Sequence, residues 1–240
     1  MRKSIILLIL LVFPSIVNAG GNRVIDSYAQ ARRILYNSIY VDHRITIYCG
    51  AEYDMHRNVR LPYGFIIDSY PDRAYRAETE HIVPAENIGR TFVEWREGAP
   101  QCVDSRGQYF KGRKCAQTNP DFRYMEADLF NLAPAIGCVN AKRSNYRFTM
   151  LPNMPSTFGS CPMKIAGRAA EPPDTAKGIV ARAYLYMADA YPRFQLSQAQ
   201  RQLFEAWDHQ YPPDDWECER ESRIATIQGN RNEFTARWCQ

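Results

Sequence analysis

The chain has 240 residues, 45% hydrophobic and 23% charged, with a formal net charge of +4. That length supports one domain with its own core, while so small a charge excess excludes any argument for a nucleic-acid partner from net charge alone; such a partner has to rest on local clusters. Beyond residues 1–19 no stretch is long and apolar enough to span a bilayer.

Residues 1–19, MRKSIILLILLVFPSIVNA, read as a secretory signal peptide: Arg2 and Lys3 form a positive start, Ile5 to Val12 an apolar core, and Val17-Asn18-Ala19 a small-residue cleavage site. The apolar run is broken by Pro14 and is short for a membrane anchor. Cleavage near Ala19 leaves residues 20–240 as a single exported, membrane-free domain, expected to work as a monomer. Losing Arg2 and Lys3 takes the formal charge from +4 to +2.

Between Ile25 and Tyr40, the stripe Tyr28, Ala31, Leu35 predicts an N-terminal helix. Arg44 to Cys49, RITIYC, alternates Ile45 and Ile47 with Thr46 and Tyr48 and predicts a half-buried strand. Val59 to Tyr70, punctuated by Pro62 and Gly64, predicts a loop.

Chemistry concentrates in Arg76 to Arg90, RAETEHIVPAENIGR, where His81 sits between Glu80 and Ile82-Val83-Pro84. Histidine is the side chain whose ordinary pKa lies near neutrality, so one beside carboxylates at the end of an extended segment can be held as a neutral base. A histidine satisfied by a local hydrogen bond is the competing structural reading. Adjacent strand residues point to opposite faces, so Glu80 and His81 can share a site only if the strand ends or bulges near His81, which Pro84 favours.

Thr91 to Gln117 carries Trp95 and the basic, cysteine-bracketed CVDSRGQYFKGRKC, with Arg106, Lys111, Arg113 and Lys114 in one loop. In Tyr124 to Phe148, Leu132, Ile136 and Val139 recur at helical spacing, with Asn131, Asn140 and Asn145 pointing elsewhere. An Asn carbonyl and a carboxylate such as Glu80 are hard oxygen ligands suited to Mg²⁺ or Ca²⁺. Lys142, Arg143 and Arg147 form a second basic cluster; either cluster alone reads more readily as a solvated face than as a binding site.

The C-terminal third predicts helical buttressing. Ile179, Val180, Ala183, Tyr184 and Met187 share an apolar face that ends at Tyr191-Pro192, and Ser197 with Gln200 forms a capping box before Leu203, Phe204 and Trp207. His209 reads as structural. Asp214, Asp215, Glu217, Glu219 and Glu221 alternate with Arg220 and Arg223 and read as a salt-bridged surface.

Seven cysteines follow the leader. In an oxidising compartment they form disulfides, with at least one thiol left unpaired or bonded between chains, and without CxxC pairs or Cys/His clusters structural zinc is not expected. Cys102 with Cys115 and Cys218 with Cys239 are the preferred pairings.

EHIVPAENIGR, GRKC and MEADLFNLAPAIGCVNAKRSNYRF together resemble the bacterial endonuclease I family of periplasmic or secreted nonspecific nucleases. The resemblance continues through RFQLSQAQRQLFEAWDHQYPPDDWECER and QGNRN, and so covers nearly the whole mature chain. It implies an α+β fold in which a ββα-metal (His-Me) finger is set in a mostly helical, disulfide-bearing domain. It implies His81 as general base, Glu80 and Asn140 as ligands of one divalent ion, Arg113 on the scissile phosphate, and Glu126 orienting Arg113 or water. Mg²⁺ is the expected ion, with Ca²⁺ or Mn²⁺ as alternatives and no organic cofactor. DNA is the expected substrate, with RNA a further one, contacted along its backbone by Lys114, Lys142, Arg143 and Arg147 and cut to 5′-phosphate products. Where that family carries Cys-Gly-Cys this chain has Cys49-Gly50-Ala51, and Cys138 stands where members have another residue, so the resemblance does not supply the pairing. Two rival readings remain: a metal-dependent phosphodiesterase on small nucleotides, and a catalytically inactive exported binding protein of the same fold.

Overall fold

The computed structural model describes residues 20–239; the expected signal peptide lies outside them. Helix α1 (Tyr28–Ile34) starts at Ser27, whose side chain accepts the Gln30 N–H, and runs into a wider turn over Leu35–Ile39. Ala31 and Leu35 are buried and Tyr28 partly so, as the stripe requires. The strand expected over Arg44–Cys49 is replaced by a turn. Ile45 makes a lone bridge to Glu52, and Thr46 closes the reversal by exchanging backbone bonds with Ala51 and Gly50 and accepting the Ala51 N–H on its hydroxyl at 2.9 Å. A hydroxyl that satisfies the backbone locally competes with a ladder, and here it wins.

A short antiparallel pair, β1 (Glu52–Tyr53) and β2 (Val59–Arg60), precedes an irregular segment, and the chain then enters β3 (Ala77–His81). Four short helices follow: α2 (Ala85–Gly89), α3 (Val93–Arg96), α4 (Arg113–Ala116) and α5 (Pro120–Glu126). They lead to β4 (Leu132–Ile136), which pairs antiparallel with β3 from Ala77↔Ile136 to His81↔Leu132. Helical spacing misled over this stretch. Every residue of β4 is buried, so no alternation marks it as a strand, and Leu132, Ile136 and Val139 mimic a helical stripe. Pro134 was the contrary sign, since proline breaks a helix interior but fits a strand whose other side lacks a ladder partner. Of the two expected outcomes, an end or a bulge near His81, the structure takes the first: the β3 register is unbroken and the strand ends at His81.

Helix α6 (Gly137–Arg143) begins at the residue after β4, completing a β3–β4–α6 unit. Gly137 makes the close join possible: a Cβ there would lie 2.5 Å from the Arg73 carbonyl oxygen and 2.8 Å from the Glu78 carboxylate. A small sheet of β5 (Arg147–Phe148), β6 (Lys164–Ala166) and β7 (Ala169–Glu171) follows in the order β5-β7-β6.

The remainder is helical: α7 (Asp174–Ala190), α8 (Gln198–Gln210), α9 (Asp215–Gln228) and α10 (Glu233–Ala236). α7 stops before Pro192, and the Ser197–Gln200 capping box forms as expected. The acidic run is less superficial than its alternation suggests. Glu217 and Glu221 are buried and pair with Arg182 and Arg231, while Glu219 pairs with Arg223. Arg220 donates at 2.9 Å to the carbonyls of Leu129 and Leu132, tying α9 to the entry of β4. One cluster of buried apolar side chains links α1, the β3–β4 pair and α7.

Three disulfides close the fold: Cys102–Cys115 and Cys218–Cys239, as expected, and Cys49–Cys161, with Cys138 a buried free thiol. No described helix is long and apolar enough to cross a membrane. The architecture is α+β.

Candidate active site

A cleft of about 540 Å³ opens where β3, α4 and α6 meet, and Glu80, His81, Arg113, Asn140 and Arg143 all line it. Both faces of β3 contribute, since Glu78, Thr79, Glu80 and His81 all border the cavity. β3 has a ladder partner, β4, on one side only.

His81 is 8% exposed and holds its ring by two contacts. Nε2 lies 2.9 Å from the carbonyl oxygen of Glu126. A carbonyl can only accept, so Nε2 carries the hydrogen and Nδ1 carries the lone pair. The Tyr28 ring stacks on the imidazole at 5.1 Å with 24° between planes. Burial, reinforced by the Arg113 charge, pushes the pKa of His81 down to about 3, so the ring is neutral across the physiological range.

Arg113 donates from Nε to the Glu126 carboxylate, whose other oxygen accepts from Gln117 at 3.0 Å. Its guanidinium lies 4.8 Å over the Tyr28 ring, so Tyr28 contacts both Arg113 and His81. The rest of the guanidinium is free to face the cleft, since the Arg113 side chain is 42% exposed. Of the two roles expected for Glu126, its contacts favour orienting Arg113.

Glu80 is 2% exposed and is met from two sides. Its Oε1 accepts from the Tyr48 hydroxyl at 2.7 Å and pairs with Arg143 at 2.9 Å. Burial pushes its carboxyl pKa upward, against the opposing pull of Arg143 and Tyr48. Arg143 also donates to the carbonyls of His81 and Ile82 and lies 4.5 Å over the Phe148 ring. The backbone contact to a nucleic acid expected from Arg143 is therefore corrected: with its side chain 1% exposed, it is an internal clamp on the end of β3. Its sequence neighbour Lys142 is partly exposed and pairs with Asp68 at 2.7 Å. Lys114 and Arg147 are exposed.

Asn140 lies one turn into α6 and donates from Nδ2 to Glu78 at 3.1 Å, leaving Oδ1 without a donor among the described residues. Glu78 also receives Arg73. Its place beside Asn140 was missed, although the spacing of Glu78 and Glu80 in AETEH puts both on one strand face. Arg76, directly before β3, was missed, and so were Tyr28, Tyr48, Arg32 and Arg57, which reach the site from elements distant in sequence.

The donor set suits a hard divalent cation. Glu80 Oε2 and Asn140 Oδ1 receive no hydrogen bond among the described residues, and one is anionic and the other neutral oxygen. Among the described residues no three His, Cys, Asp or Glu side chains gather as a chelating group. An ion here would draw most of its ligands from water and substrate, as Mg²⁺ commonly does.

Residues 30–238 match the family model described as Endonuclease I. The chain is 38% identical over 223 residues to an "Extracellular deoxyribonuclease" of Aeromonas hydrophila, covering 90% of each chain. It is 40% identical over 209 residues to a "Periplasmic deoxyribonuclease" of the same organism, covering 84% of this chain and 82% of that one. An "Endonuclease-1" of Buchnera aphidicola is 34% identical over 223 residues, 90% of this chain and 83% of the relative. With the match running from within α1 to beyond α10 and taking in every residue of the cleft except Tyr28, this chain belongs to the endonuclease I family.

Proposed function

We propose that the protein is an exported endonuclease that hydrolyses phosphodiester bonds of DNA without regard to sequence, leaving 5′-phosphate ends, with RNA a second substrate. The observation that carries this reading is the fixed tautomer of His81: its Nε2 hydrogen is committed to Glu126, so an unprotonated Nδ1 remains beside an arginine-rich cleft. Export is supported by three disulfides and by the names of the extracellular and periplasmic relatives.

In this reading Nδ1 of His81 takes a proton from water as its oxygen attacks phosphorus in line with the departing 3′ oxygen. A neutral imidazole serves that step and an imidazolium could not. Arg113, aimed by Glu126, holds non-bridging oxygens of the phosphate and stabilises the charge that builds on them. Glu80 and Asn140 are the residues that would hold the divalent cation, Mg²⁺ or the chemically similar Mn²⁺ or Ca²⁺. When bound, that ion supplies positive charge against the phosphate and the leaving 3′ oxygen. Tyr28 packs its ring against both the His81 imidazole and the Arg113 guanidinium, and so helps hold the two in place. Guanidinium contacts of this kind grip the backbone, which carries no sequence information.

Supercoiled plasmid incubated with the mature protein tests the reading. Nicking in Mg²⁺ that stops in EDTA and weakens as salt rises is the expected result. Cleavage indifferent to EDTA would overturn the cation assignment. Hydrolysis of small phosphodiesters without plasmid cleavage would overturn the polymer substrate.

A further inference from the structure

We infer that a second cleft, beside the tip of the β6–β7 hairpin, is a phosphate-holding subsite for the nucleic-acid strand beyond the reacting phosphate; this rests on the endonuclease reading above. The cleft measures about 450 Å³ and is lined by Arg147 and Arg168 together with Asn87, Asn145 and Gln200. It continues the active-site cleft in two places. Asn145 lines both cavities, and Asn87 directly follows Glu86, which borders the first.

Its chemistry is that of a backbone cradle. Two guanidiniums and three carboxamides meet there, no carboxylate lines it, and neither Arg147 nor Arg168 forms an ion pair among the described residues. Guanidiniums hold phosphate oxygens in pairs, and carboxamides bond phosphate and sugar oxygens. The fold brings the two arginines together through one register. β5 pairs parallel with β7 at Arg147↔Ala169, so Arg147 stands opposite the residue that follows Arg168.

The hairpin itself is built at a cost. Ala166 pairs with Ala169, so the loop is the two residues Gly167 and Arg168, with φ of 54° and 61°. This is a turn with positive φ at both central positions, which favours glycine, asparagine or aspartate. Gly167 meets that demand and Arg168 does not. An L side chain held in the left-handed region where glycine would be easier is the kind of local strain that functional sites carry. Here the strained residue delivers a guanidinium to an exposed cleft that already holds another.

The test is equilibrium binding of fluorescent DNA in EDTA, measured against salt, for the unsubstituted protein, Arg168→Gly and Arg168→Lys. On a duplex longer than the protein, Arg168→Gly should make the slope of log affinity against log salt shallower by about 0.9, the loss of one phosphate contact. Arg168→Lys should restore the slope, and on a dinucleotide the three proteins should bind alike. Arg168→Gly should fold at least as stably, because it gives the turn the residue it prefers, so loss of structure would not mimic loss of contact. An unchanged slope on the long duplex, or an equal loss on the dinucleotide, would overturn the subsite. Failure of the unsubstituted protein to cleave plasmid in Mg²⁺ would instead overturn the endonuclease reading and is scored separately.

Discussion

The imidazole of His81 gives its Nε2 hydrogen to the backbone carbonyl of Glu126 at 2.9 Å, and the side chain of that same Glu126 takes the Nε hydrogen of Arg113. One residue at the end of α5 therefore sets both the proton acceptor and the phosphate clamp, by two chemically independent groups. Replacing Glu126 by Gln should separate them. The backbone bond to His81 persists, while the charged bond to Arg113 becomes a neutral one, a loss of about 1–2 kcal/mol. Plasmid cleavage should fall roughly tenfold with the pH profile unmoved. A shifted pH profile would mean that the carboxylate acts on the base as well.

His81 also ties stability to pH. Its folded pKa of about 3 lies below the unfolded value of 6.5, because burial disfavours the charged ring. Below pH 6.5 the unfolded chain takes a proton that the folded protein refuses, so stability falls as the pH drops toward about 3, and the loss stops there. Between pH 7 and pH 5 this one group should remove about 2 kcal/mol. Urea unfolding in EDTA should show that His81→Asn loses correspondingly less than the unsubstituted protein over the same interval. Equal losses in the two proteins would place the acid sensitivity elsewhere.

Arg143 and Lys142 are neighbours in sequence and opposites in structure. Arg143 neutralises the buried Glu80 and bonds the two carbonyls at the end of β3, whereas Lys142 pairs with a partly exposed Asp68. Arg143→Ala leaves a buried carboxylate uncompensated and should destabilise by about 3–5 kcal/mol. Lys142→Ala should cost less than about 1 kcal/mol. Chemical denaturation of the two variants side by side measures the contrast, and similar midpoints would contradict the buried clamp.

These neighbours also mark where the sequence was legible. Local chemistry read correctly: the Ser197 cap, the stop before Pro192, the pairing of Cys102 with Cys115, and a histidine at the exit of a strand. Each depends on residues close in the chain. What misread depends on tertiary surroundings. Basic residues after Asn140 look alike in sequence, and only the Glu80 carboxylate beneath α6 takes Arg143 inside. β4 carries no alternation because both its faces are covered, and the turn after Ile45 owes its shape to the Thr46 hydroxyl. Glu78 was within reach of a strict period of two from Glu80, but Tyr28 and Tyr48 come from elements with no motif of their own.

The most direct measurement is plasmid cleavage in Mg²⁺ by purified His81→Ala, with its fold verified by circular dichroism. Removing a general base from an otherwise intact site should lower turnover by about 10²–10⁴-fold. A folded His81→Ala protein that cleaves plasmid at the unsubstituted rate would contradict the assignment of Nδ1 as the group that accepts the proton from water.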